Sequence, residues 1–250
     1  MGLNDWMKEI HYTDEVKTEF MRVLMYGLTG TGKTQLLGSF PSPFVLDTDG
    51  GLATLRKMNV PFYSFHNPIY GEKERCDIYK TVMEIFDSAE RKDKTPFDFT
   101  KIKTIGIDGF TRLSMYILRE VMIYPPAGGK SKNPDSDKPE FDHWAVLKNR
   151  MLTIATRLYE LSNNYHVIGT AWVKTSRNEV TGVTEIIPDL DGSYKDKIGH
   201  DFDEFFYMMN EGGKFVTRTK PFGKVNAKTR WLKVDKIEDA TFEKIWSLRK

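Results

Sequence analysis

The chain has 250 residues, 37 Lys and Arg against 35 Asp and Glu for a formal net charge of +2, and 40% hydrophobic residues. That length and apolar content suit one large α/β domain with modest appendages and are ample for a buried core. No apolar run approaches the ~20 residues that cross a bilayer, the start at Met1-Gly2-Leu3-Asn4-Asp5-Trp6 lacks the order of a secretion signal, and the single Cys76 supports neither an internal disulfide nor a cysteine metal cluster, so a cytoplasmic protein is expected.

In chain order, residues 1–20 are polar with scattered aromatics (Trp6, Tyr12, Phe20) and read as an N-terminal arm, leaving 21–250 as the main domain. Arg22 to Tyr26 has the apolar content of a buried strand, and Thr34 to Phe40 opens a helix stopped by Pro41 and Pro43. Between them Gly27-Leu28-Thr29-Gly30-Thr31-Gly32-Lys33-Thr34 completes the pattern G-x-x-x-x-G-K-[ST] in the strand-to-helix setting that it needs. The glycines let backbone N–H groups wrap a triphosphate, Lys33 reaches the β- and γ-phosphates, Thr34 ligates Mg²⁺, and Gln35 closes the contacting run. Nucleotide binding is the first expectation.

Further strands are expected at Phe44–Leu46, Phe62–Phe65, Ile102–Ile107 and Tyr165–Thr170, with helices at Asp77–Arg91, Thr111–Met122 and His143–Asn163 between them. Alternation of this kind predicts a mainly parallel central sheet with helices on both faces. Pro125 to Asp135 is breaker-rich and reads as a functional loop, and Lys174 to Lys197 reads as a second irregular stretch. Strand-like runs at Phe205–Met209, Lys214–Thr219 and Thr229–Val234 then predict an antiparallel C-terminal extension, closed by an amphipathic helix over Ala240–Leu248.

A phosphate loop alone does not separate a kinase, a GTPase and an ATP-driven motor, so acids at later strand ends carry the decision. Lys103-Thr104-Ile105-Gly106-Ile107-Asp108 is an apolar strand ending in a carboxylate, the form of a Walker B element, where Asp108 would hold Mg²⁺ opposite Thr34. Val45-Leu46-Asp47-Thr48-Asp49-Gly50-Gly51 ends the strand after the first helix, where a carboxylate would lie beside the γ-phosphate and orient the attacking water; a capped turn is the other reading of both acids. The same run fits the D-x-x-G pattern of GTPases, but no N-K-x-D base-reading motif follows, so selectivity for GTP is unsupported. The segment Lys214 to Lys236 carries eight Lys and Arg against Asp235, a strip suited to phosphates or to a solvated hairpin face. The histidines show no metal-ligand spacing.

The order of phosphate loop, D-T-[DE]-G strand end, Walker B strand, irregular loop, long helix, apolar strand and second irregular loop resembles the ATPase core of RecA-type recombinases. More closely, it resembles the small core-only RecA-like annealing proteins encoded by phages, over roughly Met21 to Leu232. That resemblance implies ATP and Mg²⁺ as cofactors, and a catalytic base at Asp49, where this chain has Asp in place of the family's Glu. It implies DNA-binding loops over Tyr124–Asp142 and Lys174–Lys197, with Lys130, Lys132, Lys174 and Arg177 among their basic residues. Trp172 replaces the polar residue that often ends the strand before the second loop, and reads either as a base-stacking platform or as a packed aromatic. Lys228 and Arg230, in Asn226-Ala227-Lys228-Thr229-Arg230, resemble the element that reaches a neighbouring subunit's γ-phosphate. Single-stranded DNA, further copies of the chain in a ring or filament, and a single-strand-binding protein are the implied partners. The competing readings are a nucleotide-gated binding module that hydrolyses little, favoured by Asp at 49, and a P-loop kinase of small molecules, disfavoured because Pro125–Asp142 holds no lid arginine.

Overall fold

The computed structural model describes residues 19–65, 77–92, 97–123, 138–177, 182–191 and 198–249. Strand β1 (Arg22–Gly27) is buried along nearly all its length because both of its faces are covered. Leu24 and Tyr26 enter one apolar core and Val23 and Met25 the other, the period of two that a doubly covered strand imposes. Helix α1 (Lys33–Gly38) follows the loop, and β2 (Pro43–Asp47), β3 (Phe62–Ser64), β4 (Thr104–Asp108) and β5 (His166–Ala171) complete the parallel part. Strands β6 (Val173–Arg177) and β7 (Thr184–Pro188) form a separate two-stranded hairpin. Strands β8 (Glu204–Glu211), β9 (Lys214–Arg218) and β10 (Lys236–Glu238) extend the main sheet, whose order is β10-β9-β8-β1-β5-β4-β2-β3. Pairing is parallel from β8 through β3 and antiparallel at β8–β9 and β9–β10.

Helices α2 (Ile78–Arg91), α3 (Phe110–Ile123) and α4 (Phe141–Leu161) cover one face, inserting Val82, Phe86, Leu113, Ile117, Met151 and Ile154 into a single cluster. On the other face α1, a 3₁₀ helix at Leu52–Met58 and the closing helix α6 (Phe242–Ser247) pack on Met25, Val45 and Ile168. A short helix α5 (Ile198–Asp201) leads into β8. The fold is therefore the expected mixed α/β architecture with a mainly parallel sheet and an antiparallel C-terminal extension. Because β1, β2, β4, β5 and β8 run in one direction, their carboxyl ends share one edge of the sheet, and that edge collects the loops that follow them.

The structure departs from the sequence expectation in two places. The stretch from Lys174, read as irregular, folds its described residues into the β6–β7 hairpin, anchored where the Tyr26 hydroxyl donates to the carbonyls of Ile186, at 3.0 Å, and Asn226. Conversely, Thr229–Val234 is not a strand. The Glu204 carboxylate accepts the N–H groups of Arg230 (3.1 Å) and Trp231 (3.2 Å), and Thr229 Oγ1 accepts that of Leu232 (2.9 Å). Side chains thus consume the donors a ladder needs, and the extension instead closes with β10.

His166, the first residue of β5, sits among the rings of Phe20, Phe40, Phe242 and Trp246 at centroid distances of 5.1–5.9 Å. Its Nδ1 accepts the Met21 N–H at 3.1 Å, which requires a neutral ring, and burial, with Arg249 and Lys103 nearby, pushes its pKa down to about 4. Below the ordinary pKa of ~6.5 the unfolded chain binds this proton and the folded chain resists it, so stability falls as pH drops from there towards about 4. Urea denaturation at both ends of that window should show the wild type losing more stability than His166→Gln, which keeps an acceptor without the titration.

Candidate nucleotide-binding site

The phosphate loop leaves the carboxyl end of β1 in a conformation only its glycines allow. A Cβ on Gly27 would stand 2.1 Å from the Met208 carbonyl oxygen of β8, and Gly32 adopts φ +86° with the Phe215 ring 3.0 Å from where its Cβ would lie. Lys33 is buried at 9% exposure, and its Nζ donates to the carbonyls of Gly27 (2.9 Å) and Leu28 (2.7 Å). Burial lowers the Lys33 pKa, and the negative charges of Asp108 and Asp49 oppose that shift. A buried cation facing two carboxylates across a glycine-rich turn is suited to polyanionic oxygens.

Two strands away, Asp108 ends β4 at 2% exposure. Its carboxylate accepts from Thr34 Oγ1 at 3.0 and 3.2 Å and from Thr170 Oγ1 at 2.6 Å, while Thr170 Oγ1 accepts the Gly109 N–H at 2.9 Å. Burial raises the Asp108 pKa, and the hydroxyl bonds pull it back. Beside them the chain is open at Gly51, where a Cβ would lie 3.7 Å from Asp108 Oδ2 and 3.9 Å from Thr34 Oγ1. A hydroxyl and a carboxylate lining an uncrowded corner form a hard-oxygen set that fits Mg²⁺. Among the described residues no group of three or more His, Cys, Asp or Glu assembles as a metal cluster.

The two acids of the β2 turn separate in role. Asp47 Oδ1 accepts the Gly50 N–H at 2.8 Å, a turn-capping bond. Thr48 is fully buried, with its N–H on the Asp108 carbonyl at 3.0 Å and its hydroxyl 2.6 Å from that of Gly109. Asp49, lifted past both, has Oδ2 accepting from Trp172 Nε1 at 3.0 Å and Oδ1 lying 3.3 Å from Arg112 Nε. Burial raises the Asp49 pKa; the Trp172 bond, Arg112 and Lys33 lower it. Trp172 is therefore bonded to the site's own carboxylate.

The remaining sequence candidates lie elsewhere. Lys228 pairs through its backbone with Phe205 near the amino end of β8, and its Nζ donates to the Gly199 carbonyl; burial lowers its pKa. Arg230 Nη1 lies 3.0 Å from Asp203 Oδ1, an oxygen it shares with Arg22 at 2.8 Å. Since β8 runs parallel to β1, with Glu204 opposite Val23, both cations sit at the sheet edge opposite this chain's own phosphate loop. Lys174 pairs with Asp189 at 2.8 Å, Arg177 is exposed at the end of β6, and Lys130 and Lys132 lie outside the described residues. Sequence reasoning missed Thr48, Gly109, Arg112 and Thr170. Thr170 and Gly109 carried a faint signal as a polar strand end and a glycine after a strand-end Asp, whereas nothing in the sequence pointed to Arg112.

Comparison with protein families finds residues 19–231 of the 250 matching the family described as an AAA domain. The chain belongs to the AAA domain family. No curated protein matches it. The AAA domain here is of P-loop nucleoside-triphosphatase type, and the matched span begins just ahead of β1 and reaches past Arg230. Among the described residues of this AAA domain and its flanks, no helix is long and apolar enough to cross a membrane.

Gly109 (φ +107°) is where this packing is tightest, since a Cβ there would stand 2.5 Å from Thr48 Oγ1 and 2.7 Å from the Asp49 carboxyl carbon. Gly109→Ala should lose on the order of 1–3 kcal/mol in thermal or chemical unfolding through backbone strain alone, and should weaken nucleotide binding by displacing the Asp49 turn. Unchanged unfolding and binding in this variant would contradict the tight Gly109 packing.

Proposed function

We propose that this AAA domain binds Mg-ATP in the phosphate loop and hydrolyses it, as a RecA-like subunit acting on single-stranded DNA in recombination or annealing. The observation that carries the reading is the meeting of Thr34 and Asp108 beside the loop, with a second carboxylate, Asp49, held at the next strand end. Lys33 exchanges its loop carbonyls for β- and γ-phosphate oxygens, to which its charge is better matched. Thr34 and Asp108 would hold Mg²⁺, whose charge would offset that of the phosphate oxygens. Asp49 orients a water for in-line attack on the γ-phosphorus and takes its proton as the bond to the β-phosphate oxygen breaks and its electron pair leaves with ADP. One methylene shorter than Glu, it works at the limit of its reach.

Lys228 and Arg230 lie too far round the sheet to serve their own nucleotide, and they supply positive charge to a neighbour's γ-phosphate in a ring or filament. DNA phosphates are taken by Arg177 on the hairpin together with Lys174, Lys130 and Lys132, and a single-strand-binding protein presents the strand. We infer a phage-encoded protein acting in a host cytoplasm, a reading supported by the resemblance to phage annealing proteins. A second reading, a nucleotide-gated module with little turnover, is favoured by the shorter Asp at position 49 in place of Glu.

ATP hydrolysis measured with and without single-stranded DNA separates the readings. Stimulation by DNA, with Asp49→Asn slowing turnover by ~100-fold while ATP stays bound, is the expected result. Tight ATP binding with no turnover under either condition would select the gated module. For the trans role, Lys228→Ala with Arg230→Ala should lower ATPase and assembly together, and mixing with Lys33→Ala subunits should restore part of the activity. Normal ATPase and assembly in the double variant would rule the trans role out.

A further inference from the structure

Trp172 joins β5 to the hairpin, and its backbone is fixed on both sides. Its N–H donates to Thr111 Oγ1 at 2.9 Å, and its carbonyl accepts the Asp189 N–H at 2.8 Å. Arg112 follows Thr111 in α3, so one helix start places both groups, and the Arg112 guanidinium lies over the Trp172 ring at 5.2 Å. Together they address the two oxygens of one carboxylate: the indole N–H takes Asp49 Oδ2, and the guanidinium faces Oδ1. Asp49 Oδ1 and Arg112 Nε are both buried and make no hydrogen bond among the described residues. The indole bond restrains rotation of the carboxylate, and Arg112 Nε stands 3.3 Å from its other oxygen.

We propose that Trp172 and Arg112 are positioning residues for hydrolysis, the indole and the guanidinium fixing the Asp49 carboxylate in the orientation from which it receives the proton of the attacking water. The inference rests on Asp49 being the base. Neither residue touches the nucleotide in this account; each acts through Asp49. The charges around Asp49 are Lys33 from α1, Arg112 from α3, Asp108 from β4 and, in its own turn, Asp47, whose Oδ1 is occupied by the Gly50 N–H. Against the upward push of burial, the indole bond, Arg112 and Lys33 hold the Asp49 pKa down.

The test reads kcat against pH. Trp172→Phe, which keeps an aromatic ring and deletes the N–H, should lower kcat by about tenfold with KM for Mg-ATP nearly unchanged, and should move the acid limb to higher pH, because the carboxylate has lost the donor that favoured its charge. Arg112→Gln should move the limb the same way, and Arg112→Lys should hold it. A packing role alone would lower the melting temperature and leave the limb in place. A second readout needs no turnover: the Trp172 indole N–H resonance, assigned by its loss in Trp172→Phe, should titrate with Asp49 and lose that pH dependence in Asp49→Asn. An indole signal indifferent to pH and to Asp49→Asn overturns the proposal. An unmoved acid limb in Trp172→Phe, with Asp49→Asn inactive, overturns the positioning role alone. Full turnover in Asp49→Asn removes the base itself, and the positioning role with it.

Discussion

Asp108 is a carboxylate buried almost completely at the junction of segments far apart in sequence, and burial of a charge is tolerated only where partners surround it. Here the partners are Thr34 from the start of α1, Thr170 from the end of β5, and the nearby Lys33 charge. Meeting that demand forces much of the remaining arrangement. Strand β5 must lie between β1 and β4 to bring Thr170 across, and α1 must begin where Thr34 can reach. The β2 turn must then fold over the end of β4, and Thr48 fastens it there by backbone and hydroxyl bonds. The phosphate loop and the acids beside it are thus one hydrogen-bonded object rather than separate motifs.

The sheet supplies rigidity by ordinary means. Its central strands are apolar on both faces, so a slip of one residue would exchange Leu24 and Tyr26 with Val23 and Met25 between two cores of different shape. Register at the site is therefore fixed by packing well below it. Tyr26 extends that control outward, since the residue before Gly27 also anchors the β6–β7 hairpin through its hydroxyl. The hairpin in turn fixes Trp172, and Trp172 fixes Asp49. Packing at the floor of the domain is transmitted by short contacts to Asp49, the carboxylate proposed as the base.

What the sequence revealed and what it withheld follow from the range of the interactions. The phosphate loop is local: a strand, glycines that only particular backbone angles accommodate, and a helix start are all visible within a dozen residues. Asp108 was legible because an apolar run ending in a carboxylate is also a local pattern. Thr229–Val234 misled because its aromatic and β-branched residues suit a strand, while the buried carboxylate that draws off its N–H groups, Glu204, lies some distance away in sequence. Trp172 could be read as a stacking or packing residue, but its bond to Asp49 spans the two halves of the domain, and no spacing rule reaches so far. Arg112 carried no signal because a single arginine in a helix is ordinary until its neighbour across the site is known.

Thr34 and Asp108 are proposed to form the metal-holding corner of a triphosphate site. Calorimetric titration of ATP into the wild type and Asp108→Asn, each with and without Mg²⁺, tests that role most directly. The wild type should bind ATP at least tenfold more tightly with Mg²⁺ than without, and Asp108→Asn should lose that difference while keeping the Mg²⁺-free affinity, because Lys33 and the loop amides remain. Equal ATP affinity with and without Mg²⁺ in the wild type, or an unaltered Mg²⁺ dependence in Asp108→Asn, would contradict it.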